Sequence, residues 1–312
     1  GGFVSAFRND VVLFNGGSKG LLTFCFLRYL VPIQRCKLVC LDIQLKPPSG
    51  FKGRLKARIR RFLLRKVGLF VHYFTDLGGY DKFYGVSTAR SSYIPFKANL
   101  PGGIPPVSEV SAVGDYVLTA GRSHRDLRTF LAAMTQVGYP GLLLHDNPQL
   151  MSEHGTLLDL SRLPSCVRAV DYGGDYSVWI DYVRRAKLVV IANSPYTISS
   201  TGISTYLVAM ALRRCVIITE GPATRNLITA EALVVPPANP VAMANAIRQV
   251  WEDDALRERF ADEGRRYAER LGDESRLMRD IMDICGELAT RGLSAAKMMA
   301  LALVNQTGTS PP

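Results

Sequence analysis

Two short stretches of the chain combine residue types that bind phosphate. One contains Gly121, Arg122 and Arg125, directly after an apolar run, and the other is the small, hydroxylated stretch 199–205. Arginine guanidinium groups form paired hydrogen bonds with phosphate oxygens, and the N–H groups and dipole at a helix N-terminus also favour an anion. The two stretches together therefore predict a diphosphate site that needs no metal ion.

The second stretch begins a helix, because apolar residues after Gly202 recur at intervals of three and four residues. We expect ligand contacts there from backbone N–H groups and hydroxyls. The candidates are Ser200, Thr201, Gly202, Ile203, Ser204 and Thr205. Simple capping of the helix accounts for the hydroxylated residues equally well. For the two arginines the alternative is a solvated first helical turn, with Ser123 as the N-cap.

Other kinds of chemistry leave no pattern in the sequence. The four histidines are isolated, and no zinc-binding spacing or hydrolase triad is present, so we predict no metal site. The six cysteines are scattered through apolar runs, which indicates buried thiols in a reducing compartment. Basic residues are not interleaved with aromatic ones, which disfavours nucleic-acid binding.

Strands that alternate with helices indicate parallel sheets with helices on both faces, an α/β fold. In such domains ligands bind at the carboxyl ends of the strands, where both candidate stretches lie. The predicted strands are 10–14, 37–41, 69–74, 93–96, 116–120, 141–145, 167–171, 188–192, 215–218 and 232–235.

The proline- and glycine-rich segment 100–106 predicts a linker between two domains. We expect a short, basic N-terminal domain at 1–106, a nucleotide-binding domain at 107–290 and a C-terminal tail at 291–312. The net charge of +11 is uneven, since residues 1–106 hold 17 Lys and Arg against 4 Asp and Glu. This asymmetry suggests that the two domains have different partners.

The most basic stretch is a predicted amphipathic helix at Lys52–Lys66. Leu55, Ile59, Phe62 and Leu63 form an apolar stripe between its basic residues. Such a helix could lie on an anionic membrane surface with its apolar side down. It could equally pack that stripe on its own sheet and leave the charges solvated, and both arrangements could hold together.

Three segments within residues 116–271 resemble the nucleotide-sugar-binding domain of family-four-type glycosyltransferases, which have the GT-B fold. They are YVLTAGRSHRDLRTFLAAM, AKLVVIANSPYTISSTGISTYLVAMALRRCVIITEG and EALVVPPANPVAMANAIRQVWEDDALRERFADEGRRYAERL. The resemblance implies two Rossmann-like domains with parallel sheets facing a cleft. It also implies sugar transfer from a nucleoside diphosphate sugar, usually with retention. The N-terminal domain is short for this fold, so we expect one or two β-α units to be absent.

The resemblance assigns roles to individual positions. Arg122 and Arg125 match the residues that hold the donor diphosphate, and the helix N-terminus at Gly202 matches a phosphate and sugar contact. Asp171 and Tyr172 lie where such enzymes meet the nucleobase. Asp42, in a pair that matches the family's histidine-aspartate pair, is the candidate catalytic residue on the acceptor side. The family's two glutamates are replaced here by Ser200 and Val208.

These observations favour a hexosyltransferase-type glycosyltransferase of polysaccharide biosynthesis. It would move a sugar to a carbohydrate or lipid-linked acceptor, with no tightly bound cofactor beyond its nucleoside diphosphate sugar. We expect it in the cytoplasm, peripheral on the inner face of the membrane. The replaced glutamates leave a second interpretation, a catalytically silent binding or scaffold protein of the same fold. A third is a nucleotide-sugar epimerase, which would release the diphosphate without an acceptor.

Overall fold

The computed structural model describes residues 10–16, 19–31, 36–109 and 113–307, which divide into two compact units. The first unit runs to Pro95 and resumes at Glu274, and it includes Ile198–Ser200. The second unit contains Phe96–Thr197 and Thr201–Asp273. The sequence suggested boundaries after residues 106 and 290, whereas the helices from Glu274 onwards group with the first unit.

Ten strands and eleven α-helices are present among the described residues. The strands are β1 (Val11–Asn15), β2 (Lys37–Leu41), β3 (Leu69–His72), β4 (Ser91–Tyr93), β5 (Val117–Ala120), β6 (Gly141–His145), β7 (Val167–Asp171), β8 (Leu188–Ile191), β9 (Cys215–Thr219) and β10 (Leu233–Val235). The helices are α1 (Lys19–Leu30), α2 (Gly50–Leu64), α3 (Gly78–Tyr84), α4 (Leu127–Val137), α5 (Pro148–Glu153), α6 (Tyr176–Arg185), α7 (Ile203–Ala211), α8 (Pro240–Glu252), α9 (Asp254–Leu271), α10 (Glu274–Arg291) and α11 (Leu293–Thr307).

The first unit is built on a four-stranded parallel sheet in the order β1-β2-β3-β4. Each strand is joined to the next by one helix, and parallel crossovers are right-handed, so α1, α2 and α3 cover the same face of the sheet. β2 and β3 are almost entirely buried apolar residues, as expected for strands covered on both faces.

The other face of this sheet is covered by the last two helices of the chain. α10 packs against β1 and β2, and α11 packs against α10 and β4. The sequence predicted a helix at α10 and, for the segment after it, helix as the most regular structure expected. It gave no sign of which sheet these two helices join. Residues 308–312 of the predicted tail lie outside the described residues.

The second unit has a six-stranded parallel sheet in the order β10-β9-β8-β5-β6-β7. The strand order reverses between β5 and β8, which are hydrogen-bonded neighbours with Thr119 opposite Val190. The helices that follow these two strands therefore lie on opposite faces of the sheet, and the carboxyl edge at such a reversal is where ligands bind in open α/β sheets. Both predicted phosphate-binding stretches follow these two strands.

The core of the second unit lies between this sheet and helices α4 and α8. Phe130 and Met134 of α4 pack with Met243 and Ile247 of α8 in one cluster of buried apolar side chains. Proline at the first position of α8 and the side chain of Asn239, which accepts from the N–H of Ala242, begin that helix where the sequence predicts it. This packing fixes the strand ends that carry the candidate site.

Most of the predicted elements are confirmed, with small shifts at their ends. The strand predicted at 93–96 is instead Ser91–Tyr93, because Pro95 has no N–H to donate to the ladder. All six cysteines are free, and no described helix is long and apolar enough to cross a membrane.

Candidate functional site

The two phosphate-binding stretches meet at the reversal point of the second sheet. Arg125, in the loop after β5, and Asn193, in the loop after β8, form an isolated antiparallel bridge. The N–H of Asp126 donates to the carbonyl of Ala192 at 2.7 Å, and the N–H of Ser194 donates to the carbonyl of His124 at 2.8 Å. These bonds hold the two loops together, so segment 121–125 lies beside the segment that leads to α7.

The Arg125 side chain is buried at the centre of this junction. Its guanidinium donates four hydrogen bonds, and all four acceptors are neutral. They are the carbonyls of Ala120 (3.0 Å) and Ser123 (2.9 Å), Asn193 Oδ1 (2.8 Å) and Thr205 Oγ1 (3.1 Å). A guanidinium has five N–H groups, so one remains for another partner. Sequence reasoning placed Arg125 on the diphosphate, and the structure shows that most of its donors serve the protein.

The charge of Arg125 has no carboxylate partner in the described part of the chain. Burial lowers the pKa of its guanidinium to about 10, and no neighbouring charge opposes that shift. A pKa of about 10 leaves the group protonated at neutral pH, so a cation is held inside the fold with only dipoles around it. Buried charges in proteins are normally paired, so this arrangement favours an anionic ligand nearby.

Asn193 is the residue that orients Arg125, and the sequence did not single it out. It is buried, its amide oxygen accepts from Arg125, and its Nδ2 donates to the carbonyl of Thr201 at 3.0 Å. Its backbone N–H donates to Thr219 Oγ1 at 2.8 Å, which ties the loop to β9. The one available signal was a polar residue directly after the buried apolar run of β8.

The N-terminus of α7 depends on Gly202, its N-cap residue. Gly202 has φ +96°, and a Cβ there would lie 3.0 Å from Asn193 Nδ2 and 3.1 Å from Ile191 Cγ2. Only glycine combines this conformation with so close an approach. The first N–H groups of the helix have no acceptor within the helix itself, so this end carries the donors and partial positive charge that an anion needs.

The side chains around this N-terminus are mostly occupied by the protein. Thr205 Oγ1 accepts from Arg125, Ser204 Oγ accepts from Asn99 Nδ2 at 3.0 Å, and Thr201 Oγ1 lies 2.9 Å from Thr197 Oγ1. The Ile203 side chain is buried in the core. The backbone N–H groups of this turn are therefore better candidates for ligand contact than the hydroxyls are.

Arg122 is the arginine that faces solvent, with its side chain 47% exposed. Its Nη1 lies 3.4 Å from Asp146 Oδ2, and Tyr172 donates its hydroxyl to the same oxygen at 3.1 Å. Burial and then the Asp146 charge raise the pKa of Tyr172 to about 12. This network joins the ends of β5, β6 and β7. Asp146 was missed, although it directly follows the buried strand β6.

Asp171 forms a local turn: it is exposed, and its carboxylate accepts from the N–H of Gly173 at 2.8 Å. It lies beside Tyr172 at the carboxyl end of β7, so the predicted nucleobase contacts are adjacent in the structure. Their role toward a base stays a prediction.

The helix after Arg125 begins later than predicted. Its N-cap is Asp126, whose carboxylate accepts from the N–H of Thr129 at 3.1 Å, and Ser123 lies in the loop before it. The expectation that Ser123 caps α4 was wrong, because Asp126 is one residue from the first helical position and supplies a charged acceptor. The two arginines therefore belong to the loop, and neither lies in the first turn of the helix.

Ser200 is separated from the other candidates and lies against Asp42 in the first unit. Ser200 Oγ is 3.3 Å from Asp42 Oδ1, and Gln44 Nε2 donates to Asp42 Oδ2 at 2.8 Å. Gln44 Nε2 also lies 3.4 Å from Ser200 Oγ. The three side chains form one polar cluster at the carboxyl end of β2. Gln44 is a member that the sequence did not reveal.

The Asp42 backbone is unusual, with φ +44°, which aspartate tolerates better than most residues. Its N–H donates to the carbonyl of Val71 at 2.7 Å, so the strand ladder holds this conformation. Burial raises the pKa of the Asp42 carboxyl, and the hydrogen bonds from Gln44 and Ser200 oppose that rise. No cation of the described residues pairs with this half-buried carboxylate, so it is suited to accept a substrate proton.

A metal site and a ligand groove place further requirements on the described residues. No group of three or more His, Cys, Asp and Glu side chains is placed to hold a metal ion within the ranges the structure describes. A groove of about 760 Å³ lies in the second unit between segment 100–106 and α6. It contains none of the predicted phosphate ligands, so it is not the candidate donor site.

No protein-family model and no curated protein matches the sequence. Solved structures match its fold. HepE from Anabaena, crystallised in complex with UDP, is 15% identical with a TM-score of 0.68, covering 92% of this chain and 81% of HepE. Sucrose-phosphate synthase from Thermosynechococcus elongatus is 17% identical with a TM-score of 0.69, covering 92% of this chain and 75% of the synthase.

A third structure, WaaG, a glycosyltransferase involved in lipopolysaccharide biosynthesis, is 14% identical with a TM-score of 0.54. The match covers 86% of this chain and 81% of WaaG. Structural matches at identities this low establish the fold alone. The chain has the GT-B fold, with a parallel α/β sheet in each of its two units, and the resemblance to GT-B glycosyltransferases is confirmed at that level.

Proposed function

We propose that the chain is a glycosyltransferase that uses a nucleoside diphosphate sugar as donor and a carbohydrate or lipid-linked molecule as acceptor. The observation that carries this proposal is the buried, unpaired charge of Arg125 beside the N-terminus of α7. HepE, of similar fold, is crystallised with UDP and with UDP-glucose, which supports a uridine diphosphate sugar as the first donor to test.

The proposed chemistry is stabilisation of the leaving diphosphate. As the bond between the sugar and the β-phosphate breaks, negative charge grows on the phosphate oxygens while the acceptor hydroxyl forms the new glycosidic bond. Arg125, Arg122 and the α7 N-terminus supply positive potential that is in place before the reaction, which is the arrangement that lowers such a barrier. We therefore propose a metal-independent reaction, and undiminished turnover in excess EDTA is the expected result.

On the acceptor side, we propose Asp42 as the residue whose carboxylate accepts a hydrogen bond from the attacking hydroxyl and takes its proton as the glycosidic bond forms. Gln44 and Ser200 hold that carboxylate in place. Retention of configuration, a hexose as the transferred sugar and a role in polysaccharide biosynthesis belong to the same proposal. So do a cytoplasmic location at the inner face of the membrane and contact of Lys52–Lys66 with an anionic lipid surface.

The substitution Asn193→Asp tests the donor site directly. It would place a carboxylate against the buried guanidinium at the position of Asn193 Oδ1, now 2.8 Å from Arg125. The pair would neutralise the charge that attracts the diphosphate, so we expect UDP affinity to fall at least tenfold in calorimetry while the protein stays folded. Unchanged affinity in a folded Asn193→Asp protein would remove Arg125 from the donor site.

A second candidate function is binding without catalysis. Val208 stands where the family carries a glutamate. Its side chain is apolar and fully buried within α7, so it cannot form a hydrogen bond with a ligand. Incubation with a panel of nucleotide sugars separates the possibilities. Diphosphate release that depends on an added acceptor supports transfer, release without acceptor supports an epimerase, and binding without release supports a silent relative.

A further inference from the structure

Helix α2 buries Ala57 and Leu64 and exposes most of its other large apolar side chains. Ala57 and Leu64 are buried, and a Cβ on Gly53 would lie 3.4 Å from the backbone of Pro48. The large apolar side chains are instead 75%, 50%, 53% and 49% exposed; they are Phe51, Leu55, Ile59 and Phe62. On a helix of 3.6 residues per turn these four fall within about 80° of each other, roughly opposite the buried residues.

This result overturns one of the two expectations for the basic segment. The apolar stripe at Leu55, Ile59 and Phe62 does not pack on the sheet of its own unit; only Leu63 is partly covered. Isolated exposed apolar side chains are ordinary, but a continuous row on one helix face marks an interaction surface.

Helix α1 extends this row sideways. Tyr29 stacks on Phe62 with ring centroids 4.5 Å apart and donates its hydroxyl to the Phe62 carbonyl at 2.9 Å. Phe26 and Leu30, three residues before and one after Tyr29, are 52% and 63% exposed. Residues three apart on a helix share a face, so the two helices present one apolar ridge, which we define as Phe26, Leu30, Phe51, Leu55, Ile59 and Phe62.

Basic residues border the ridge on both sides of α2. Arg54, Arg58 and Arg65 lie along one flank, Lys52 and Lys56 lie along the other, and all five are exposed. Residues 11–75 contain thirteen Lys and Arg and a single acidic residue, Asp42. An apolar ridge with cationic flanks matches a lipid bilayer, whose acyl boundary is apolar and whose anionic head groups lie just above it.

We propose that the outer face of α1 and α2 docks on an anionic bilayer, with the ridge inserted below the head groups and the flanking side chains against their phosphates. A second copy of the chain is disfavoured because a two-fold contact would bring both cationic flanks together. Nucleic acid is disfavoured because the centre of the surface is apolar. The proposal deepens the lipid contact proposed above for Lys52–Lys66, on which it rests, and it holds whether or not the chain is catalytic.

Vesicle co-sedimentation tests the proposal with vesicles of phosphatidylcholine alone and of phosphatidylcholine with about 30% phosphatidylglycerol. We expect wild-type protein to partition at least tenfold more strongly onto the anionic vesicles. The charge-neutral double variant Phe51→Ser/Leu55→Ser should lose at least tenfold of that partition. The control Leu157→Ser/Val241→Ser removes two equally exposed apolar side chains from the second unit and should partition as wild type does.

Insertion and electrostatic adsorption are separated by a second variant. Phe51→Trp places a fluorophore at the most exposed position of the ridge, and its emission should shift to the blue with anionic vesicles. Val241→Trp should show no such shift.

Three results would overturn the proposal. One is equal, negligible partition of wild type onto both kinds of vesicle. A second is a dimer in analytical ultracentrifugation that Phe51→Ser/Leu55→Ser abolishes while vesicles are not bound, which would assign the face to a second copy. The third is binding to an oligonucleotide, but not to vesicles, that the same variant loses.

Discussion

Gly121 and Arg125 occupy adjoining space that no larger residue at position 121 can share. A Cβ on Gly121 would lie 2.8 Å from both Cζ and Nε of Arg125 and closer still to Nη2. Gly121 also has φ +109°, where side chains are rarely tolerated. The glycine therefore lets the guanidinium pass beneath the β5 loop and reach Asn193 and Thr205. The pairing of Gly121 with Arg125, which suggested phosphate binding in the sequence, is therefore also required by packing.

We predict that Gly121→Ala abolishes diphosphate binding, because the methyl group displaces the guanidinium. Gly138→Ala is the matched control, since Gly138 also has a positive φ but no atom near its missing Cβ. The control should cost about 1–2 kcal/mol of unfolding free energy from backbone strain alone. Gly121→Ala should cost roughly 3 kcal/mol or more, with overpacking added. Urea unfolding and UDP calorimetry measure both effects, and equal behaviour of the two variants would contradict the packing argument.

We predict that Arg122→Gln weakens UDP binding without changing stability. The side chain is half exposed and its ion pair with Asp146 is long, so its removal costs the fold little. Loss of one charge-assisted contact to a phosphate should reduce affinity about tenfold, or about 1.4 kcal/mol. Arg128→Gln, an exposed arginine on α4, is the control and should bind UDP normally. Equal affinities of the two variants would exclude Arg122 from the donor site.

We predict that Gln44→Leu moves the acid limb of the pH–rate profile upward. Burial raises the pKa of Asp42, and the Gln44 hydrogen bond stabilises the ionised form and opposes the rise. Without that bond the carboxylate ionises at a higher pH, so kcat/KM should fall earlier as pH is lowered. Burial raises the pKa values of Tyr73 and Tyr80 nearby, which keeps both neutral in this range.

The control for that experiment is Gln149→Leu, an exposed glutamine in the second unit. Its profile should match that of wild type. A Gln44→Leu enzyme whose rate falls uniformly at all pH values would show that Gln44 contacts the substrate and does not act through Asp42.

We predict that His72→Phe stabilises the protein, increasingly so toward acid pH. His72 is fully buried among Phe70, Phe74 and Tyr80, and neither ring nitrogen has a hydrogen-bond partner among the residues that the structure describes. Burial lowers its pKa to about 3. Below about pH 6.5 the unfolded chain therefore binds a proton that the folded chain does not bind. The unfolding free energy of wild type falls by up to about 1.4 kcal/mol per pH unit below that point.

His72→Phe lacks this loss, so its melting temperature should fall less than that of wild type between pH 7 and pH 5. Replacing a buried polar ring without partners by an apolar one of similar shape should be neutral or stabilising at pH 7. A variant destabilised at both pH values would mean that the imidazole makes a contact the structure does not show.

The sequence predicted the sheets well because buried parallel strands leave short apolar runs. β6 and β7 match the predicted ranges, and β2 does too. It also predicted that the two candidate phosphate-binding loops lie at neighbouring strand ends, and the bridge between Arg125 and Asn193 confirms that placement. Their role in binding phosphate stays a prediction. The roles within the loops were harder. Whether Arg125 faces a ligand or the protein depends on Asn193, 68 residues away in the chain.

Helix α2 shows a second reason for the limit of sequence reasoning. Periodicity identifies an apolar stripe but not the direction in which it faces. An inward stripe is the usual case, whereas here the buried residues are Ala57 and Leu64, and Gly53 on the same face lies close to the backbone of Pro48. Small residues contribute little to a hydrophobic pattern, so the true packing face was inconspicuous.

The division of the chain also bears on the order in which it folds during synthesis. The second unit is formed almost entirely from one continuous stretch, 96–273, so the ribosome delivers it whole. The strands of the first unit precede this stretch, but that unit lacks α10 and α11 until residues 274–307 have emerged. Until then one face of the β1–β4 sheet is uncovered, and exposed apolar sheet surface is prone to aggregation. The strands of the first unit are therefore translated before the second unit, but the first unit is completed after it.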